Sequence, residues 1–447
     1  MICWRMNLNA GLSLPRAVRK STIDRGSMSM KSLRRFSEGI NTGVIRSFAA
    51  YSFAPAVGLI TAPILAQSLG VEGRGQLAAL MQPLTVADSL AALGIPTATA
   101  FFVARGADPS RIQRRAYTGA TFTAVVAFGV LAAYSTSVAA SQGISQPLLV
   151  LLWMSVIPGA LLAVRRAAWT GLHQWKRVDL ERTAFAGSRL AIIAALAAFG
   201  LTQVLPFAAG PVLVGLLISS ALLIPKLHRT PIADQNSLPG KKDFYRFSLF
   251  AALGTVSASA SARLDQAIMP GLTSSEQLGL YAVAVTVAEV PLLVGTVLAR
   301  NLMSESSSGH ALGKMLRQVG LGFGVAILGS AVLGGVSSWV VPLLFGNSFR
   351  GSLLPINLLL VATCMSVVTI SFCAILTGWN RPLLASVPQV ISVTTVVFGF
   401  IAVGQDISAV QTSVIAVVAQ VTSLASSGLL IALGRPARGR HRKTTGK

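Results

Sequence analysis

Four charged residues stand inside long apolar runs of this chain: Asp88, Arg263, Asp265 and Glu289. A charge facing lipid costs at least roughly 2.5 to 3.5 kcal/mol, so such residues mark a protein interior or a water-filled cavity. An arginine offers a planar, permanently charged fork that suits a diphosphate. A carboxylate at membrane depth can hold a coupling H⁺ or Na⁺, accept hydroxyl groups from a sugar, or stand protonated against a neighbouring helix. For Asp88 and Glu289 all three readings remain open at this point.

The stretch "SARLDQAIMPGL", residues 261–272, carries two of the four. Arg263 and Asp265 are two positions apart, so on a helix they point about 200° from each other and form no i,i+4 pair. Arg263 therefore either faces a cavity, where it would bind phosphate, or snorkels to the membrane interface. Asp265 is expected to support it, by holding a guanidinium or capping nearby backbone. Ser257 and Ser261 lie one turn apart on the same helix. They either line a wet cavity with Arg263 or let two helices pack closely.

The elements that must position these residues are membrane helices. A chain that is 53% hydrophobic, 11% charged and has a mean hydropathy of +0.67 is no ordinary soluble domain. Its apolar runs, about 20 residues each, are long enough to cross a hydrocarbon core of roughly 30 Å. Lipid offers backbone groups no partners, so these runs must be helical. The pattern predicts an all-α polytopic protein with twelve spans, near 44–68, 77–103, 116–140, 147–169, 183–202, 206–225, 244–270, 277–301, 315–341, 353–377, 383–403 and 408–433. Counted from the ends of spans 2 and 8, Asp88 and Glu289 sit about 18 to 20 Å deep, close to the midplane. Pro55, Pro63, Pro83, Pro96 and Pro291 are expected to kink spans 1, 2 and 8.

The formal charge of +23 raises the question of nucleic acid. The cations alternate along the chain instead of forming one face, so they mark topology and exclude that partner. Connections after the odd-numbered spans hold only Arg74 and Arg350, while the other side and both tails are basic. By the positive-inside rule both termini are cytoplasmic. Arg46, Arg189 and Arg246, near cytoplasmic span ends, either anchor to lipid phosphate or collect an anionic cargo from the inner leaflet. Arg74 either helps release that cargo on the outer side or is a solvated loop residue.

The organisation expected is a basic cytoplasmic tail over 1–43, a six-helix bundle over 44–225, a linker over 226–243, a second bundle over 244–433 and a basic tail over 434–447. The first tail has no signal-peptide core and reads as disordered, or partly as an upstream extension of a chain starting at Met28 or Met30. Cys364 and Cys373 fall about 13 Å apart on one helix, too far for a disulfide, and with Cys3 read as apolar fillers.

Two anchors recur at an offset of about 205 residues, as in repeat-built transporters. "EGRGQLAALM" (Glu72 to Met81) leads into span 2 and "EQLGLYAVAV" (Glu276 to Val285) into span 8, matching Gly75 with Gly279. "WTGLHQ" (Trp169 to Gln174) follows span 4 and "LTGWNR" (Leu376 to Arg381) follows span 10. Two halves repeated in the same orientation explain the matches, and a tight turn explains any one glycine alone. The same offset places Glu289 opposite Thr85, one helical turn from Asp88, so the two carboxylates occupy near-equivalent positions.

The chain resembles the polysaccharide-biosynthesis flippases of the multidrug/oligosaccharidyl-lipid/polysaccharide exporter superfamily. The likeness lies in "LGVEGRGQLAALMQPLTVADSLAALGIPTATAFFVARG", in "SARLDQAIMPGLTSSEQLGLYAVAV" and in "VVPLLFGNSFRGS". The resemblance implies a V-shaped pair of helix bundles that rock about a central cavity lined by spans 1, 2, 7 and 8. It implies a cargo of glycan on a polyprenyl diphosphate, moved from the inner to the outer leaflet of the cell membrane, with a glycan polymerase and membrane lipids as partners. Lipid II flippases of the superfamily carry several cavity arginines in the first half. Cations are scarce in the first-half spans here, so that cargo fits less well.

Rival classes leave weaker marks. "GHALGKM" (Gly309 to Met315) has three residues between its glycines and Met after the lysine, so it is no phosphate loop. A membrane glycan polymerase or ligase would need a large outer loop or an acidic cluster, and every outer connection is short. No metal-binding or catalytic constellation emerges, since His173, His228, His310 and His441 all fall in cytoplasmic segments. No cofactor is expected beyond a coupling H⁺ or Na⁺. A multidrug and toxin extrusion antiporter would suit Asp88 and Glu289 but not a cavity arginine, and a non-transporting cell-wall scaffold is the remaining alternative.

Overall fold

The computed structural model describes residues 30–224, 240–308 and 310–434, with side chains from Phe53 onward. The sequence expectations for 1–29, 435–447 and most of the linker fall outside these residues. The chain divides into a small unit, Met1–Ala49, and a large one, Ala50–Lys447. In the small unit the backbone is helical from Met30. The stretch 30–43, expected as tail, is therefore helix.

Seven helices make up the first half: α1 (Met30–Ala92), α2 (Ile95–Ala104), α3 (Pro109–Gln142), α4 (Gln146–Trp153), α5 (Val156–Gly171), α6 (Trp175–Ala198) and α7 (Val204–Leu223). Seven more follow: α8 (Lys241–Ile268), α9 (Ser275–Ala288), α10 (Leu292–Ser307), α11 (Leu312–Leu344), α12 (Leu353–Gly378), α13 (Pro382–Val403) and α14 (Ala409–Leu433). Each of the twelve predicted intervals is helical over most of its length, but the span count differs. Among the described residues eight helices are long and apolar enough to cross a membrane, or nine if a pair bent by 48° counts as one. The differences have local causes. Two predicted spans meet in α1, which turns at Gly70 without a loop. The bent pair is α9 with α10, interrupted at Glu289–Pro291. Helix α6 carries six charged side chains, and the middle of α8 is made less apolar by Arg263 and by Thr255, Ser257, Ser259 and Ser261.

The backbone breaks at fewer places than the prolines suggest. Pro55, Pro63 and Pro83 lie inside α1, whose only non-helical residue is Gly70. Proline is tolerated there because membrane helices can re-satisfy the freed carbonyls from neighbours. The break before α2 falls at Leu93 and Gly94, both at positive φ, and is stitched from the second half. Ser248 Oγ of α8 donates to Leu93 O at 2.7 Å. This replaces a helical hydrogen bond that the break removes.

The halves meet where the repeat places matched residues. A Cβ on Gly75 would lie 1.7 Å from Ser275 O, and a Cβ on Gly279 2.1 Å from Val71 O. The two glycines sit within helices at ordinary φ, so backbone contact rather than turn geometry requires them. Each half also repeats an internal contact. Gly171 closes on Ala100 and Val103, and Gly378 closes on Met303 and Ser306. His173 and Asn380, two residues after these glycines, share a left-handed φ of 57° and 59°. The turn after span 4 is thus built twice.

The largest apolar cluster gathers the second arm of α1 with α3, α4, α9 and α12. Tyr281 and Trp153 are wholly buried in it. Trp153 Nε1 donates to Leu80 O at 2.7 Å, giving the indole its polar partner. Trp339, Leu328 and Phe398 stand exposed on the outside, as a lipid-facing surface allows.

Candidate transport site

Helix α8 carries Ser257, Ser261, Arg263 and Asp265, and α9 ends at the break beside Glu289. Across that junction Arg263 forms a two-pronged pair with Glu289. Its Nη1 lies 2.7 Å from Oε1 and its Nη2 3.2 Å from Oε2. Both side chains keep about a third of their surface open, 32% and 37%. Pairs this accessible are worth about 0 to 1 kcal/mol, so an incoming anion can replace the carboxylate.

Asp265 points elsewhere, as the helical geometry requires. Its Oδ2 accepts the hydroxyl of Tyr281 and its Oδ1 accepts the Gln266 N–H at 2.8 Å. Tyr281 was not singled out from sequence. The available signal was its polar tip inside the repeated "EQLGLYAVAV" anchor, where the first half has Leu77.

Asp265 and Glu289 both line a cavity of about 330 Å³ within the second half, bounded by α8, α9, α12, α13 and α14. Ser261, Thr363, Gln389 and Gln420 add hydroxyl and amide groups to its wall. Ser392 Oγ, also in the wall, is buried without a hydrogen-bond partner. Ser257 donates to Leu253 O and lies 3.4 Å from Gln389 Oε1, so it links α8 to α13 beside the cavity. Arg263 reaches this space through Glu289.

The seam between the halves is closed where the resemblance placed a cavity on spans 1, 2, 7 and 8. At one end Phe101 stacks on Phe247 with centroids 4.3 Å apart. At the middle Ser89 Oγ donates to Ser259 Oγ at 2.6 Å. At the other end Tyr134 donates to Ile268 O at 2.7 Å, and Gln142 Nε2 to Thr273 O at 2.7 Å.

The first half holds its own charges. Asp88 is exposed beside α5, where a Cβ on Gly159 would come 3.6 Å from Oδ1. The cation that acts on it is Arg166. Asp88 and Glu289, near-equivalent in sequence, therefore stand by different cations. Arg166 itself grips Glu181 with Nε to Oε2 at 2.8 Å and Nη2 to Oε1 at 2.7 Å. Ser219 Oγ adds a third bond to Glu181, at 2.5 Å. Arg165 donates to Leu223 O and Ile224 O at the end of α7. In sequence Arg165 and Arg166 stand out only as two of the cations on the basic side, because their partners lie on other helices.

Of the four peripheral arginines, Arg246 lies in the first two turns of α8 and over the Phe250 ring at 5.9 Å. Arg46 is on α1, its side chain outside the described residues. Arg189 sits fourteen residues into α6, because that helix starts at Trp175, eight residues before the predicted span. Arg74 lies in helix after the Gly70 kink, not in a loop, and its Nε is buried. Among the described residues no three His, Cys, Asp or Glu come together to hold a metal ion.

With this arrangement in view, comparison with known proteins is informative. Residues 40–301, more than half of the chain, match the family model described as polysaccharide biosynthesis protein. The chain belongs to that family. Its fold is that of the multidrug/oligosaccharidyl-lipid/polysaccharide exporter superfamily. It is similar to an inward closed conformation of the lipid II flippase MurJ, at TM-score 0.70 and 9% identity over 88% of this chain and 87% of that one. It is also similar to an inward-facing multidrug resistance MATE family transporter, at TM-score 0.64 and 13% identity over 86% and 98%. A superfamily transporter from Pyrococcus furiosus, described as having a binding pocket of reverse polarity, aligns at TM-score 0.50 and 13% identity over 88% and 95%. No curated protein matches the sequence. The chain is a multi-pass membrane protein of the polysaccharide biosynthesis family with the fold of these flippase and exporter structures.

Proposed function

We propose that the protein carries a polyprenyl-diphosphate-linked oligosaccharide from the inner to the outer leaflet of the cell membrane, for surface polysaccharide synthesis, by alternating access. The supporting observation is the Arg263–Glu289 pair at the rim of a cavity walled by hydroxyl, amide and carboxylate groups. Sugar hydroxyls find donors and acceptors along that wall, and a diphosphate competes with Glu289 for the guanidinium. Both termini face the cytoplasm, so basic residues at the inner mouth meet the cargo first. Movement is coupled to H⁺ or Na⁺ at the carboxylates, and a glycan polymerase receives the delivered cargo.

Depletion of the protein followed by analysis of polyprenyl-linked intermediates tests this reading. Accumulation of a glycolipid in the cytoplasmic leaflet supports it. Unchanged glycolipids with altered efflux of cationic dyes favour the second reading, a cation antiporter, for which the Asp265 and Glu289 carboxylates in one cavity speak.

A further inference from the structure

Four helices of the second half turn polar side chains toward one space and leave them without partners. The cavity of about 330 Å³ is faced by Ser261 and Gln266 of α8, Thr363 of α12, Ser392 of α13 and Gln420 of α14. None of these five side chains has a hydrogen-bond partner among the described residues, although Ser392, Gln266 and Thr363 are only 0%, 3% and 9% exposed. Every other serine, threonine, asparagine and glutamine side chain of those four helices is hydrogen-bonded. Thr369 of α12 donates to Met365 O at 3.1 Å, for example, and Ser423 of α14 to Pro388 O at 2.9 Å. The exceptions are confined to the cavity wall.

Helical register explains how they converge. Ala258, Ser261, Ala262, Asp265 and Gln266 follow the i, i+3, i+4, i+7, i+8 spacing of a single face of α8. That face mixes methyl groups with hydroxyl, amide and carboxyl groups. A buried hydroxyl or amide is expensive to leave unpaired, so five such groups around one space are provided for something that enters it.

The wall says what that is. Its amides and hydroxyls both donate and accept, and its alanines offer apolar contact. A sugar ring matches both, with hydroxyl groups around its edge and C–H groups on its faces. The volume lies at the small end of the roughly 300 to 1,000 Å³ of small-molecule sites, which suits one ring and not an oligosaccharide. Charge narrows the choice further. Asp265 and Glu289 both stand on the wall, and Arg263 pairs with Glu289, so an acidic sugar would be repelled by the Asp265 carboxylate. We propose that the cavity is a pocket for one sugar ring, selective for neutral over acidic sugars, and that it reads the ring adjoining the diphosphate of the cargo. The assignment to cargo rests on the flippase reading; the pocket itself rests on the five unpartnered side chains and the two carboxylates. A diphosphate that draws Arg263 away frees Glu289 to accept hydroxyl groups of that ring, so the two parts of the cargo are recognised together.

The test uses the full-length protein in nanodiscs and saturation-transfer NMR, with glucose, galactose, N-acetylglucosamine and glucuronate as probes. At least one neutral sugar should bind, and glucuronate should not. Gln420→Leu and Thr363→Val, close in shape to the parent residues, should each weaken that binding about fivefold, as for a lost hydrogen bond. Their melting temperatures should equal or exceed the parent's, because no partner is left unpaired. Asp265→Asn with Glu289→Gln should admit glucuronate. A parent protein that binds glucuronate as well as the neutral sugars overturns the selectivity. Lower melting temperatures with unchanged sugar binding make Gln420 and Thr363 structural and overturn the pocket. Failure of every neutral sugar to bind, or binding of Na⁺ alone, overturns it too. If depletion makes polyprenyl-linked glycan accumulate while no sugar binds, the flippase reading stands and the pocket falls. If sugars bind with the expected dependence while those intermediates stay unchanged, the pocket stands and the flippase reading falls.

Discussion

Gly75 and Gly279 face each other across the junction of the two halves, each with its bare Cα against the other helix's backbone. A Cβ on Gly75 would lie 2.9 Å from Gly279 N, and one on Gly279 3.2 Å from Gly75 N. The residues that the repeat matches in sequence are thus partners in space, as a near two-fold axis through the crossing requires. Helices in lipid gain stability from such close packing, because no hydrophobic force drives them together.

Gly75→Ala should lower the melting temperature in detergent markedly. The added methyl group would meet Ser275 O at 1.7 Å, and overpacking of this kind costs about 1 to 3 kcal/mol. Gly129→Ala, within α3 and with nothing near its Cβ position, should instead raise stability by about 0.5 to 1 kcal/mol. Equal melting of the two variants would show that the crossing does not bear on stability.

Arg263→Ala should abolish complementation of surface polysaccharide synthesis while membrane levels stay normal. The exchanged pair Arg263→Glu with Glu289→Arg keeps the ion pair but moves the fork off α8, so activity should remain lost. Full activity of the exchanged protein would reduce the pair to a structural tie.

Tyr281→Phe removes one of the two hydrogen bonds given to Asp265, a half-buried carboxyl on the cavity wall, from a tyrosine that is itself wholly buried. Loss of such a bond costs about 1 kcal/mol, and thermal unfolding should report it. Addition of Asp265→Asn to Tyr281→Phe should recover part of the loss, since an amide is cheaper to bury than a carboxylate.

Glu181→Ala should be far more damaging than loss of the Lys314–Glu305 pair. Glu181 is 1% exposed and held by Arg166 and Ser219, while Arg166 keeps 32% of its surface open, so the loss of Glu181 falls between the about 0 to 1 kcal/mol of an exposed pair and the about 3 to 5 kcal/mol of a fully buried one. Lys314 lies 3.8 Å from Glu305 and is 58% exposed, a setting worth about 0 to 1 kcal/mol. Quantified membrane levels of Glu181→Ala and Lys314→Ala give the comparison directly.

Ser89→Cys with Ser259→Cys, in a background with Cys3, Cys364 and Cys373 replaced by serine, places two thiols where the hydroxyl oxygens are 2.6 Å apart. Oxidation should cross-link the halves and stop transport, and reductant should restore it. Transport that continues in the cross-linked protein would contradict a rocking cycle that opens this seam.

Much of the fold is legible in composition and repeat. Apolar length dictates helices in lipid, and the matched "EGRGQ" and "EQLGL" passages show that the halves repeat. Local geometry also separated Arg263 from Asp265, since 3.6 residues per turn directs them apart whatever surrounds them. The partners they take instead were not legible. Glu289 is 26 residues from Arg263 along the chain and Tyr281 is 16 from Asp265, and the turn between α8 and α9 folds both pairs together.

What the sequence by itself determined is the class of molecule: helices of membrane length, two parallel halves, and a few charges too expensive to face lipid. Tertiary structure decided which charges meet. Asp88 and Glu289, equivalent by offset, stand by different cations, Arg166 and Arg263. Arg189, counted near a cytoplasmic span end, stands fourteen residues into α6, and Arg74, counted into a loop, lies in helix, because α6 starts earlier and α1 continues past its kink. Periodicity reports the face and depth of a residue along its own helix. Which residues of other helices stand opposite depends on crossings and breaks that long-range packing sets.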